Sequence, residues 1–353
     1  MDFFNPVLFT FLSSLICIGF CKPIANRIGL LDRPNGRKAH DGAIPLVGGI
    51  SIFISILFAS LFFMPKSEAL NIYLVASALI VGIGVVDDYI DLPVKPRVLA
   101  QILIAVMMIF GADLYIQNLG NIFGFGDVEL GFIGIVFTVL AVIGAINAFN
   151  MVDGIDGLAG SLAIITFGSL AFLMSNTTDG WFLLSILFIV ATAAYLMFNL
   201  EWPISKLKKI FMGDAGSMLI GLTIIWLLII GTQSPNKSFS PVVALRLIAI
   251  PLMDMAAIMM RRIRKGQSPF KPDREHLHHI FLRAGFSQRK TLFIICSIAT
   301  LMALLWVFLE RINIPEWFSL MLFIICFIGY SYALKHIWKL LTLFRRIESK
   351  KFD

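Results

Sequence analysis

Apolar runs of about 16 to 22 residues alternate along this chain with short polar segments, and helices of that length span a bilayer. Eleven runs can be marked: 6–21, 46–64, 70–86, 98–116, 132–149, 158–175, 182–200, 214–231, 242–260, 291–309 and 316–334. The pattern predicts an all-α integral membrane protein of about eleven transmembrane helices, built as one polytopic domain over 1–353. Between two of these runs, the stretch 117–131 carries four glycines and predicts a small hairpin.

The polar segments fix an orientation. With the N-terminus outside, the inner segments 22–45, 87–97, 150–157, 201–213, 261–290 and 335–353 hold 25 Lys and Arg, against 3 in the outer loops. Positive charge collects on the cytoplasmic side of membrane proteins, so this asymmetry predicts a periplasmic N-terminus and a cytoplasmic C-terminus. The first run is read as a retained span, because its basic residues Lys22 and Arg27 follow it instead of preceding it.

Composition agrees with the pattern. The chain is 58% hydrophobic and 14% charged, where a soluble domain carries about 25% charged residues. The net charge of +7 is parcelled among short loops, which argues against a nucleic-acid surface and for contact with anionic lipid and anionic substrates. The four cysteines all fall in apolar runs and suggest neither a disulfide framework nor a metal set.

Four polar motifs interrupt the apolar runs, and the predicted topology puts all four on the inner face. VVDDYIDL carries Asp87, Asp88 and Asp91; NAFNMVDGIDG carries Asn147, Asn150, Asp153 and Asp156; FMGDAGS carries Asp214; REHLHH carries His276, His278 and His279. Ionisable groups at membrane depth are costly, so their convergence marks a site. If the third helix runs one turn further, Asp87 and Asp88 share a side with Asp91. Clustered carboxylates repel unless a cation or proton joins them, and hard oxygen donors suit magnesium, which shares its shell with phosphate and water. The Asn and Asp residues of the second motif recur every three positions, a slowly drifting stripe on a helix. Asp214 can be read as a helix N-cap or, beside the other acids, as a metal ligand. The histidines lie in a basic loop without cysteine, which suits an anion better than zinc. Lys38 and His40 in the first inner loop, with Lys95 and Arg97 after the acidic triplet, offer further phosphate contacts. Asp254, inside a span, looks to Arg261, Arg262 or a neighbouring helix for its partner.

A divalent ion, basic donors for phosphate and a lipid setting point to transfer of a phosphorylated group onto a lipid. In their order and placement, DDxxD, NxxNxxDGIDG, FMGDAGS and HLHH resemble the polyprenyl-phosphate N-acetylhexosamine-1-phosphate transferase superfamily, to which MraY is related, and most closely its WecA-type branch. The resemblance covers essentially the whole chain. It implies a multi-pass enzyme of the bacterial inner membrane, its active site facing the cytoplasm. Such an enzyme moves GlcNAc-1-phosphate from UDP-GlcNAc to undecaprenyl phosphate and releases UMP. This is the first step of enterobacterial common antigen or O-antigen lipopolysaccharide synthesis. By matching motif positions it implies Asn150 and Asp214 as contacts of Mg2+ (or Mn2+), and Asp87, Asp88, Asp153 and Asp156 as catalytic. Lys38, Arg97, Asn147, Asp156, Arg262, His276, His278 and His279 are implied in substrate binding. The oligomer allowed for is a homodimer. Two other classes stay open on the residues alone: an ion-coupled transporter, which places charges near mid-bilayer, and an aromatic prenyltransferase, which has Asp-rich motifs but no use for HLHH.

Overall fold

The computed structural model describes residues 3–34, 42–175, 180–204, 207–235, 237–269 and 276–349, with side chains described as far as 336. Each of the eleven apolar runs is helical. The helices are α1 (Phe4–Ile28), α2 (Gly48–Phe63), α3 (Glu68–Ile90), α4 (Val94–Val106), α5 (Ile133–Val152), α6 (Leu158–Leu173), α7 (Trp181–Asn199), α8 (Gly213–Gln233), α9 (Pro241–Leu247), α10 (Ala249–Arg264), α11 (Leu277–Arg283), α12 (Gln288–Arg311) and α13 (Glu316–Ser349). A π-helical turn, Met107–Gly111, prolongs α4.

Eight of these segments are long and apolar enough to cross a membrane, among them α4 with its π-helical turn. A ninth arises if α9 and α10, bent by 78° at Ile248, count as one broken span. The 16-residue helices α2 and α6 are apolar but shorter; at 1.5 Å per residue each is about 24 Å long, against roughly 30 Å of hydrocarbon. The protein is thus an all-α integral membrane protein.

Helix α8 is the axis. The window that qualifies it as a span is wholly buried, with α2, α3 and α5 packed around it. Small residues permit the close approach. A Cβ on Gly49 of α2 would overlap the main chain of Gly216, and one on Gly84 of α3 would overlap Ala215. Deeper in the same seam, Tyr73 and Thr223 share a buried hydrogen bond of 2.8 Å, satisfying two hydroxyls where no water helps. Around this core α1 and α6 pack on α7, α12 packs on α6, and α10 packs on α5.

Two strands, β1 (Leu31–Asp32) and β2 (Ile44–Pro45), form a minimal antiparallel pair with Leu31 opposite Pro45. Leu46 then bridges Phe211, tying the loop between α1 and α2 to the entry of α8. The predicted hairpin is present in reduced form, as an antiparallel bridge between Asn118 and Glu129. Arg246, which lies within the apolar run 242–260, is buried beside the α9–α10 bend. It donates to Ser319 Oγ at 3.0 Å, approaches Glu310 at 3.4 Å and stacks over Trp306. All four cysteines are free.

Candidate functional site

The site forms where α3 and α5 end, α8 begins, and α11 folds back between α10 and α12. Asp87, on the last turn of α3, is 4% exposed. It accepts hydrogen bonds from the main-chain N–H of Leu92 at 2.8 Å and from Arg97 Nη1 at 2.9 Å. The same guanidinium nitrogen lies 3.8 Å from Asp214 Oδ2, so Arg97 sits between the acids of the first and third motifs. Pro93 makes this geometry: it opens α4 from an extended residue and turns the chain so that Arg97 comes back over Asp87.

Asp88 has a different task. One of its oxygens accepts the N–H of Asp214 at 2.8 Å, the other that of Ala215 at 3.4 Å. The first N–H groups of a helix have no partner within it, and a carboxylate at that end also meets the positive pole of the helix dipole. Of the two readings of Asp214, the helix N-cap does not hold: the cap position is Met212, without a side-chain cap bond, and Asp214 lies in the first turn. The shared side expected for Asp87, Asp88 and Asp91 is also absent. Helix α3 stops at Ile90, and Asp91 adopts a left-handed conformation (φ 54°) and is exposed.

The stripe expected in the second motif is broken for a similar reason, since α5 ends at Val152. Asn150 reaches the centre, donating to Asp214 Oδ1 at 2.8 Å and to Ser217 Oγ at 3.0 Å. Asn147 turns to α4 instead and binds Gln101 Oε1 at 2.9 Å and the Ile143 carbonyl, so it braces helices. Asp153 and Asp156 stand in the turn that follows. Burial, together with the charges of Asp214 and Asp156, pushes the Asp153 carboxyl up to about 7. Asp156 pairs with Lys209, whose ammonium also lies 5.6 Å over the ring of Phe211.

The histidine motif closes the site. His278 is 1% exposed, and neither ring nitrogen has a hydrogen-bond partner among the described residues. Burial first, then the neighbouring His279 and His276, drive its pKa down to about 3, so the ring is neutral at ordinary pH. It abuts the second motif directly: a Cβ on Gly154 would overlap His278 Nε2. His276 stacks on His278 with ring centroids 5.7 Å apart, and His279 lies 4.2 Å away on the other side. Arg262, on the last turn of α10, is 4% exposed, and its guanidinium donates to the Pro269 carbonyl among its partners. Lys38 and His40 lie outside the described residues.

All four motifs thus touch one another through named atoms. Sequence reasoning missed Lys209, Phe211 and Ser217, and the first of these has a plain cause. A lysine near the inner face is already accounted for by topology, so nothing distinguishes one that pairs with an acid of the site. Among the described residues, no group of three or more His, Cys, Asp or Glu side chains is arranged to hold a metal by itself. The Asp214 carboxylate is a hard oxygen donor of the kind magnesium takes alongside phosphate; Asn150 points its amide nitrogen at that carboxylate, and a flip of the amide would bring its oxygen there instead.

Comparison with known proteins gives the family. Residues 70–232, from α3 to the end of α8, match the profile of "Glycosyl transferase family 4". Over a 348-residue alignment the chain is 43% identical to the undecaprenyl-phosphate alpha-N-acetylglucosaminyl 1-phosphate transferase of Yersinia pestis, covering 98% of this chain and 95% of that one. The proteins of the same name from Salmonella typhi (45% identical, 98% and 95% covered) and Escherichia coli K12 (43% identical, 96% and 93% covered) are similarly alike.

Proposed function

The chain belongs to the undecaprenyl-phosphate alpha-N-acetylglucosaminyl 1-phosphate transferase family and is a phosphoglycosyltransferase. From that premise we propose that it transfers GlcNAc-1-phosphate from UDP-GlcNAc to undecaprenyl phosphate and releases UMP. The observation that carries this reading is the junction of the four motifs, in which carboxylates, an amide, an arginine and histidines meet at the ends of apolar helices. The product then serves as the lipid primer of common-antigen or O-antigen synthesis. The enzyme sits in the bacterial inner membrane with the site on the cytoplasmic face. α2, α6 and the bent α9–α10 pair each count as a crossing, giving eleven spans with the N-terminus outside; the 25-to-3 split of basic residues supports this. A homodimer is compatible with it.

In this reading Asp214, with the Asn150 side chain beside it, would hold Mg2+ or Mn2+, which would supply neutralisation of the negative charge on the donor diphosphate. Both reactants are anions, so charge neutralisation dominates the barrier. Arg97 holds the acceptor phosphate and Asp87 keeps Arg97 in place. Asp88 secures the start of α8, which sets the position of Asp214. Arg262 and the histidines take the diphosphate and sugar, with Asp153 and Asp156 on the nucleotide side. A phosphate monoester has a second pKa near 6 and is mostly dianionic at neutral pH, so direct attack needs little help from a base.

The reading is tested by following label from UDP-[14C]GlcNAc into organic-extractable lipid in the presence of undecaprenyl phosphate and magnesium. Label that remains in water sinks it. A covalent phospho-aspartate route is the alternative mechanism; UMP exchange into UDP-GlcNAc by lipid-free enzyme would favour it over direct attack.

A further inference from the structure

Asp254 is an acid the transfer reaction has not yet used. It lies on the second turn of α10 and is 2% exposed. A carboxylate buried there is costly unless donors meet it. Three donors do: His276 through Nδ1 at 2.8 Å, the main-chain N–H of Leu277 at 3.1 Å, and the hydroxyl of Tyr330 at 2.7 Å. They come from the residue before α11, the first residue of α11, and α13. One carboxylate therefore fastens the histidine segment to two other helices.

The consequence falls on His276. Its Nδ1 faces an acceptor, so that nitrogen carries a proton in the neutral ring as well as in the imidazolium. Its Nε2 has no hydrogen-bond partner among the described residues. The ring also lies within 9° of parallel to His278, which fills the space beside Gly154. Whatever fixes the plane of His276 thus sets the face that the histidine row presents to the second motif. We propose that Asp254 is a positioning residue of the transfer site. It keeps the ring proton of His276 on Nδ1 and fixes the ring plane beside His278, which leaves Nε2 as the nitrogen open to a substrate group. Tyr330 and Leu277 hold the carboxylate in register. The inference rests on the proposed transfer reaction for the role of His276, but the protonation of His276 is testable without it.

Two measurements on the full chain in detergent test the proposal. The first is the 15N spectrum of the imidazoles, tractable with five histidines and assigned by substitution. A proton on Nδ1 of His276 in the wild type, lost or moved in Asp254→Asn, is the expected result; an Nδ1 without a proton in the wild type overturns the proposal. The second is a double-mutant cycle on lipid-dependent UMP release. Asp254→Asn is expected to lower kcat/KM by about 10- to 100-fold, as loss of an outer-shell partner does. In a His276→Gln background the same change should cost less than about twofold. Equal losses in both backgrounds, or none in either, would mean that Asp254 does not act through His276. A wild type without turnover would count against the transfer reaction itself, and the spectrum would still decide the role of Asp254.

Discussion

Asp88 on α3 accepts the main-chain N–H of Asp214 on α8 at 2.8 Å, across 125 intervening residues. One acid of the first motif therefore completes the helix that presents the acid of the third. Removing the acceptor with Asp88→Ala should cost about 0.5–2 kcal/mol, as loss of an N-cap does, read as a lower unfolding temperature. Asp88→Asn keeps an oxygen for the N–H and should restore most of that stability. Transfer should recover in parallel, since Asp88 acts on Asp214 by securing the start of α8. A loss of transfer in Asp88→Asn as deep as in Asp88→Ala would contradict that role.

Gly154 leaves room for His278 and for nothing larger. Gly154→Ala puts a methyl group into the imidazole, and overpacking of this kind costs about 1–3 kcal/mol. His278→Ala in the same chain should recover part of the loss of unfolding temperature. Additive destabilisation by the two changes would contradict the contact.

Acid and base act on the site with opposite signs. His278 has an ordinary value of 6.5 and a folded value of about 3. The unfolded chain alone takes up that proton, so this contribution to stability is lost as pH falls from about 6.5 toward 3. Asp153 moves the other way, from 3.8 to about 7. The folded chain alone holds its proton in that window, so stability declines as pH rises through it. In thermal unfolding without divalent ions, His278→Gln should therefore lose less stability on acidification than the wild type. Asp153→Asn should lose less as pH rises from 4 to 7. Slopes unchanged from the wild type would contradict both assignments.

The division of labour at the centre predicts different metal responses. On the proposed reading Asp214→Asn removes the charge that would hold the ion, and it should lower transfer by about 100-fold even at high magnesium. Asn150→Ala removes a neutral donor, and should raise the magnesium needed for half-maximal rate by about tenfold while leaving much of the saturated rate. Chelation of the wild type should abolish transfer and magnesium should restore it. A rate indifferent to chelator would remove the ion from the account.

How much of this was legible in the sequence depends on which property each residue carries. The eleven runs were visible because membrane helices must be apolar over most of their length, and every run is a helix. Run length alone did not show that α2 and α6 stop at 16 residues, nor that the ninth run bends at Ile248. The acidic motifs were visible because their cost at a membrane face has no structural excuse. Their pairings were hidden: α3 ends at Ile90 and sends Asp91 to solvent, and α5 ends at Val152, which takes Asp153 and Asp156 off the helix that carries Asn150. Lys209 was hidden for the reason that made the topology clear. Asp254 was noticed as an acid inside a span, with a neighbouring helix favoured as the source of its partner; Tyr330 of α13 is such a partner, and His276 joins it from the catalytic loop.

The central claim is that a lipid phosphate reacts with a nucleotide diphosphate sugar at Asp214 and Arg97 and that a divalent ion is required. The most direct test is UMP release from UDP-GlcNAc by the purified protein, with undecaprenyl phosphate and magnesium each present or withheld. Release that requires both is the predicted result. Release indifferent to the lipid, or none under any condition, would contradict the claim.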